Sequence, residues 1–379
     1  MIYFDNAATT RTKPKEVLEA FNYYVTEIGT SPGRGSYSLG IQASRMLYQS
    51  RKTVAKFFGI NNPENVVFTK NSTEGINFFF NGYLKSGDHV LISPYEHNAV
   101  LRPLHNLKEK GIIDYTVLPE DAIYNAEHLL EKHIRPNTSL IAITLASNLT
   151  GQIVFNNGIS QIANKHHIKM FVDASQGAGK KLLNMQRDGV DVLAFTGHKD
   201  LMALPGVGGI CSQEALNIPP FIQGGTGIHG EAFTNPHAYP DAYEAGTLNM
   251  PAIWSLKVAI DNIEKNIESN RHHESSLMKK LVEGLQKDPN IILYNMEKPR
   301  VSTMCFNVHG VPSSDVVSYL DKQGVCVRGG IHCAILAHMQ IGTVETGAVR
   351  ISLNSYNTLE EVEKFIQIIG DIKNALGIL

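Results

Sequence analysis

Val190 to Thr196 (VDVLAFT) is a largely apolar run, and Gly197-His198-Lys199 follows it directly. Lysine is rarely kept from water unless it is paired or used. An isolated lysine after a strand is most often an exposed loop residue. Held at a strand end, its amine can instead form an imine with a carbonyl cofactor such as pyridoxal phosphate. That chemistry makes three further demands. The first is an acid facing the ring nitrogen: Asp173 ends the run Ile168 to Asp173, and Gln176 follows at a spacing that reaches a ring hydroxyl. The second is a phosphate cradle at a helix start. Thr69-Lys70-Asn71-Ser72-Thr73-Glu74-Gly75 supplies one, with Ser72 and Thr73 expected to cap the next helix, although hydroxyls are common at any helix start. The third is a partner to stack on the ring, and His97 lies just past the run His89 to Ser93. Each feature alone is weak. Four of them at successive strand ends converge on one site.

The elements that must position these residues are also legible. Asn65–Thr69, His89–Ser93, Leu140–Ala146, Ile168–Asp173, Val190–Thr196 and Val207–Cys211 are near-continuous apolar runs. Such runs are expected of strands buried on both faces, as in a mostly parallel sheet between helix layers. Ligands of open α/β sheets sit beyond the strand carboxyl ends. Leu39, Ala43, Met46, Leu47, Val54, Ala55 and Phe58 recur at helical spacing. From Pro251 to Lys287 a charged helix carries Ile253, Leu256, Ile260, Ile263 and Ile267 on one stripe. Beyond it, Ser302, Met304, Phe306 and Val308 alternate, as do Val349, Ile351 and Leu353, which predicts half-buried strands of a smaller α+β unit. A last helix is expected over Leu359–Leu376. The expected division is a large unit over 16–250 and a small one over 251–379, with 1–15 packing on the latter.

Composition narrows the function classes. The 379 residues carry 34 Lys plus Arg and 36 Asp plus Glu, a formal charge of −2, so nothing favours a nucleic-acid or membrane-surface partner. Hydrophobic residues make up 43%, enough for a sizeable core. Met1 to Asn6 lacks the basic start and apolar run of a signal peptide, and no run suits a membrane span, so a cytoplasmic protein is expected. Cys211, Cys305, Cys326 and Cys333 form no C-x-x-C pair, and no H-E-x-x-H occurs, so no metal is expected. Gly225-Thr226-Gly227-Ile228-His229-Gly230 fits a dinucleotide pattern, but prolines surround it and no strand-to-helix turn is expected there. Gly177-Ala178-Gly179-Lys180-Lys181 lacks the first glycine and final hydroxyl of a phosphate-binding loop.

Six motifs then occur in one order: Phe4-Asp5-Asn6-Ala7-Ala8-Thr9-Thr10, Glu96-His97-Asn98-Ala99-Val100, Gly197-His198-Lys199, Gly224-Gly225-Thr226-Gly227, Glu244-Ala245-Gly246-Thr247 and Arg328-Gly329-Gly330-Ile331-His332-Cys333-Ala334. Over Phe4 to Asn357 the chain resembles the class V aminotransferase group, and within it the cysteine desulfurases and selenocysteine lyases. The resemblance implies the fold-type I architecture of pyridoxal phosphate enzymes, with a mostly parallel sheet flanked by helices and a smaller C-terminal α+β domain. It implies that Lys199 holds the cofactor and moves protons at the substrate Cα. Asp173 would pair with the pyridinium, Gln176 with the ring oxygen, and His97 would stack. Ser72, Thr73, Thr196 and His198 would bind the phosphate, joined by Thr247 from a second subunit of a homodimer. Ala7, Asn148 and Arg350 would meet the substrate, Asn148 also lining the cofactor and Arg350 clamping the substrate carboxylate. Cys333 would attack the sulfur of L-cysteine, giving alanine and a persulfide for a sulfur-acceptor protein.

The short stretch from Cys333 to Arg350 is similar to the short-loop branch of the group, which includes selenocysteine lyases acting on L-selenocysteine. A different class V lyase or aminotransferase, and a non-catalytic sulfur carrier, stand as further alternatives. Gly329 and Gly330 suggest a movable cysteine loop. The chain departs from the family pattern in Asp200–Gly206 and at Ser175, and neither departure is expected to touch a catalytic atom. The roles of His332, His338 and Cys326 stay open.

Overall fold

The structure, a computed structural model, describes residues 1–379 apart from Arg34, His229, Ala238 and 377–379. His229, within the discarded glycine pattern, thus lies outside the described residues. A first short strand, β1 (Ile2–Tyr3), precedes the strands of the central sheet: β2 (Val66–Thr69), β3 (His89–Ile92), β4 (Asp114–Val117), β5 (Thr138–Thr144), β6 (Lys169–Asp173), β7 (Val192–Thr196) and β8 (Gly208–Ser212). Their order is β2-β8-β7-β6-β5-β3-β4. All neighbouring pairs are parallel except those of β8, which runs antiparallel to both β2 and β7. The continuous apolar runs are the six strands expected of them, and every residue of β3, β7 and β8 is buried. Strand β4 was not anticipated. Its Asp-Tyr-Thr-Val sequence is half-buried throughout and lies at the sheet edge, where one flank needs no apolar cover.

Parallel pairing brings the ends of β3, β5, β6 and β7 to one side, and β2 points the same way because β8 runs antiparallel to both β2 and β7. Thr144 pairs with Asp173, and Asp173 with Ala194. Thr69 and Thr196 flank the same residue, Gly208. A Cβ on Gly208 would lie 2.7 Å from the Phe195 carbonyl oxygen and 2.8 Å from Asn71 Cα. Glycine there lets the loop after β2 close down on β8.

The helix Ser38–Phe58 buries Ala43, Met46, Val54, Ala55 and Phe58 against this sheet and stops at Gly59 in a left-handed conformation. Leu39 departs from the expected stripe and is exposed, because Gly40 is the buried residue of that turn, packed on Gly35. The helix Met250–Leu285 runs 36 residues, with Asn249 capping it and Pro251 in its first turn. Ile253, Leu256, Ile260 and Ile263 join the hydrophobic cluster of the central sheet. Leu277, Met278, Leu281 and Leu285 join a second cluster, which also contains Ile2, Phe4, Phe306 and Phe365.

The second cluster surrounds β9 (Ile291–Leu293), β10 (Thr303–Val308), β11 (Val325–Cys326), β12 (Arg328–Gly330) and β13 (Ala348–Ser352). Strands β12-β13-β10-β9 form an antiparallel sheet, while β11 pairs with β1. Alternation predicted one wet face, yet β10 and β13 are buried on both. Cys305 and Ala348, on the face expected to be wet, pack into the large cluster instead. The expected terminal helix is two: Leu359–Gly370, opened by a Thr358/Glu361 capping box, and Ile372–Leu376. The break falls at Gly370-Asp371, where glycine weakens the helix. Among the described residues no helix is long and apolar enough to cross a membrane.

Gly208→Ala forces either the Phe195 carbonyl or the loop at Asn71 to move. It is expected to destabilise the protein by about 1–3 kcal/mol. A urea-denaturation midpoint equal to that of the unmodified protein would contradict this account.

Candidate active site

Asp173, at the end of β6, is buried, and its Oδ1 accepts from the Ser175 N–H at 2.9 Å and the Ser175 hydroxyl at 2.5 Å. Burial pushes its carboxyl upward in pKa, while Ser175 and then Lys199 pull it back. Lys199 mirrors it: burial lowers the ammonium, Asp173 opposes that, and Arg350 adds to the lowering. Ser175 Oγ also lies 2.7 Å from Ser72 Oγ. The serine set aside as a harmless departure thus joins the acid to the expected phosphate cradle.

That cradle opens the helix Ser72–Tyr83. Its cap is Asn71, whose side chain accepts from the Glu74 N–H at 2.9 Å, and not Ser72 or Thr73 as expected. An amide side chain in the cap position leaves both hydroxyls of the first turn for other partners. Across the site, Thr196 Oγ1 is buried with no hydrogen-bond partner among the described residues.

His97 caps the helix Asn98–Glu109, with Nδ1 accepting from the Ala99 N–H at 3.0 Å. Burial first, then the charges of Lys199 and Arg350, lower its pKa to about 3, so the imidazole is neutral. Glu96, which opens one of the six motifs but is assigned no role by the sequence, fixes this corner: it accepts from the Thr144 N–H at 2.8 Å and from the Ser93 hydroxyl. Burial pushes its pKa up to about 8. His198 is also held neutral, with a pKa lowered to about 4 by burial and by Lys199, and its Nδ1 meets Thr9 Oγ1 at 3.1 Å.

The first ten residues thread through the site. Gln176 Nε2 donates to the Ala7 carbonyl at 2.8 Å, and Thr10 Oγ1 donates to the Lys199 carbonyl at 2.7 Å. Arg350, fully buried on β13, donates from Nη2 to Asp5 Oδ1 at 2.6 Å and from Nη1 to the Asn148 carbonyl at 3.0 Å. Its Nε and Asn148 Oδ1 are buried without partners among the described residues. Asp5 therefore balances the guanidinium, a pairing the sequence motif contains but does not reveal.

Cys333 is exposed at the rim. Its loop is pinned at two successive carbonyls: Asn148 Nδ2 donates to that of His332 and the Asn98 N–H to that of Cys333, both at 2.8 Å. His332 and Cys333 both have positive φ, 54° and 55°, a region disfavoured for side chains. Gly329 and Gly330, expected to free the loop, instead pair with Val349 and Ala348. A Cβ on Gly329 would come within 2.8 Å of Val317, so close packing demands that glycine. His332 and His338 stack in parallel with ring centroids 6.0 Å apart. His332 Nε2 bonds the Ala348 carbonyl and His338 Nδ1 bonds Thr343 Oγ1.

The chain thus gathers Ala7, Ser72, His97, Asn148, Asp173, Gln176, Thr196, His198, Lys199 and Arg350 around the strand ends, with Thr73 exposed at the edge and Cys333 at the rim. Thr247 is not brought to Lys199. It lines a cavity of about 480 Å³ with Thr69, Lys70 and Glu74. Its segment is secured by Glu244, which receives the Phe68 N–H at 2.6 Å and a two-pronged contact from Arg51.

The family model for class-V aminotransferases matches residues 2–365. A probable cysteine desulfurase of Pyrococcus abyssi is 33% identical over 393 residues, covering 99% of this chain and 95% of that protein. A cysteine desulfurase of Salmonella dublin is 31% identical over 389 residues, covering 100% and 94%. Among solved structures, an apo cysteine desulfurase from Thermococcus onnurineus superposes with a TM-score of 0.90 at 31% identity, covering 99% of this chain and 95% of that one. Matched along nearly its whole length by the family model and by relatives above 30% identity, the chain belongs to the class-V aminotransferase family.

Proposed function

We propose that the chain is a pyridoxal-phosphate-dependent cysteine desulfurase that converts L-cysteine to L-alanine and captures the sulfur as a persulfide on Cys333. The observation that carries this is the tethering of the Cys333 loop to Asn98 and Asn148, one residue from His97 and in contact with Arg350 respectively. Relatives and structural neighbours named as cysteine desulfurases support it.

The residues fit the cofactor. The orphaned Thr196 hydroxyl, Ser72, Thr73 and His198 suit a phosphate at the start of the helix Ser72–Tyr83. Asp173 would meet the pyridine nitrogen, Gln176 the ring oxygen, the neutral His97 the ring face, and Lys199 Nζ would bond the carbonyl carbon. When bound, pyridoxal phosphate accepts electrons from the substrate Cα. Arg350 would bind the substrate carboxylate through its unpartnered Nε, and Asn148 and Ala7 would line the amino group's side. Lys199, with its ammonium destabilised by burial, is suited to move the proton at Cα. Cys333 attacks as a thiolate. A sulfur–sulfur bond forms, the Cβ–S bond breaks with its electron pair left on carbon, and protonation there completes alanine. A thiol-bearing acceptor would then remove the outer sulfur. Thr247 would complete the phosphate site of a partner subunit, making the active form a homodimer.

Cys333→Ala is expected to keep the yellow, borohydride-sensitive colour and to lose alanine formation from L-cysteine by about 10²-fold or more, whereas Lys199→Ala loses the colour. Retained turnover of L-cysteine by Cys333→Ala would overturn the assignment. If L-selenocysteine alone is used, with or without Cys333, the protein is a selenocysteine lyase. Ser175→Ala removes a hydrogen bond worth roughly 1.5–3 kcal/mol to an ionised carboxylate. Cofactor Kd, measured by fluorescence titration, should rise about tenfold or more. Thr247→Ala should weaken cofactor binding while sedimentation still reports a dimer; undiminished affinity, or a wild-type monomer that binds fully, would remove Thr247 from the phosphate site.

A further inference from the structure

Lys180 and Asp200 belong to two stretches that the site does not use, and the fold brings them together. The enclosed Lys180 ammonium reaches Ser302 Oγ at 2.6 Å, the Leu353 carbonyl at 2.7 Å, and carboxylate oxygens of Asp200 and Glu274 at 3.2 Å each. Asp200 Oδ2 accepts the Gly177 N–H at 2.7 Å, and the Ser302 hydroxyl donates to Glu274. Three donor groups, the ammonium, the Gly177 N–H and the Ser302 hydroxyl, thus serve five oxygens, and one positive charge faces two carboxylates out of water.

The origin of these groups gives the cluster its meaning. Asp200 follows Lys199 immediately. Glu274 lies on the helix Met250–Leu285, in the half leading to the second hydrophobic cluster. Ser302 precedes β10, and Leu353 follows β13, the strand that carries Arg350. Ser302 and Leu353 are themselves joined, the Leu353 N–H donating to the Ser302 carbonyl at 2.8 Å. A single ammonium therefore connects the residue beside the cofactor lysine to the strand of the carboxylate clamp. An unpaired carboxylate in such surroundings is costly, so Asp200 and Glu274 both depend on Lys180.

The charges acting on Lys199 come from every side. Asp173 on β6 and Asp200 favour its protonated form; Arg350 on β13 and Arg328 on β12 oppose it; His97 and His198 are neutral. Of the two carboxylates, Asp200 is the one whose charge is offset by a second ammonium, that of Lys180.

We propose that Lys180 is a positioning residue, setting the spacing between Lys199 and Arg350 and screening the Asp200 carboxylate from the cofactor-bound nitrogen of Lys199. The inference rests on the cofactor role proposed for Lys199. Its test is a pH titration of the visible band of the loaded protein, together with kcat and KM for L-cysteine. In Lys180→Met the compensating proton goes to Glu274, whose carboxyl burial already pushes upward, while Asp200, still held by the Gly177 N–H, faces Lys199 unscreened and stabilises its positive charge, so the midpoint should rise by about one unit. KM should rise about tenfold, with kcat changing less, as the clamp loses its register. Asp200→Asn keeps an oxygen for the Gly177 N–H and removes the charge, so its midpoint should fall. The double variant should return towards the wild-type midpoint. A merely structural role lowers the melting temperature and leaves the midpoints of loaded protein unchanged, and that result overturns the proposal. Should Lys180→Met fail to fold, Asp200→Asn decides alone, an unchanged midpoint being fatal. A wild-type protein with no visible band would refute the cofactor role and this inference with it; a band indifferent to both substitutions refutes this inference only.

Discussion

The structure is organised around charge held away from water. Lys199 and Asp173 stand at the ends of adjacent parallel strands, each destabilised by burial and each relieved by the other. Ser175 adds its hydrogen bonds to the relief of Asp173. The same constraint recurs outward: Arg350 rests on Asp5, Arg51 on Glu244, and Lys180 on Asp200 and Glu274. Each pair joins segments far apart in sequence. The ionic contacts therefore fix the relative position of the N-terminal segment, the central sheet and the small sheet, while the apolar clusters supply most of the driving force for folding.

Polar satisfaction around the site is uneven, and the unevenness is informative. Asp173 and Asp200, on either side of Lys199, are met by N–H, hydroxyl or ammonium donors, yet Thr196 Oγ1, Asn148 Oδ1 and Arg350 Nε have no partner among the described residues. Buried polar atoms are normally paired. These three come from β7, the loop after β5 and β13, the elements that surround the strand ends. A polar ligand entering there would meet donors and acceptors already aimed and dehydrated, which is the arrangement electrostatic catalysis requires.

The central strands were legible because burial on both faces leaves an uninterrupted apolar signature. The polar residues closing those runs marked the site for the same reason. The small sheet misled because its second face is covered by a distant part of the chain, through Cys305 and Ala348, and local alternation cannot report that. Asn71 displaced the neighbouring hydroxyls as the helix cap, a choice among three adjacent capping residues that only backbone geometry decides. Ser175 and the run Asp200–Gly206 depart from the family pattern without touching an expected catalytic atom, and nothing in the sequence assigns them a further role. In the fold, the Ser175 and Asp200 side chains are what hold Asp173 and the segment after Lys199. Asp5 lay in a quoted motif, but its partner is 345 positions away in the chain.

The helix Met250–Leu285 is about 54 Å long at 1.5 Å per residue. Its first half is embedded in the core of the central sheet and its second half in the core around the small sheet. Mechanically it is a beam clamped at both ends. Rotation of one core against the other has no free linker at this point to absorb it, and must bend or fray the beam between Ile267 and Glu274. Breathing of the site is thereby confined to small elastic displacements, and admission of a ligand falls to the segments lining the rim.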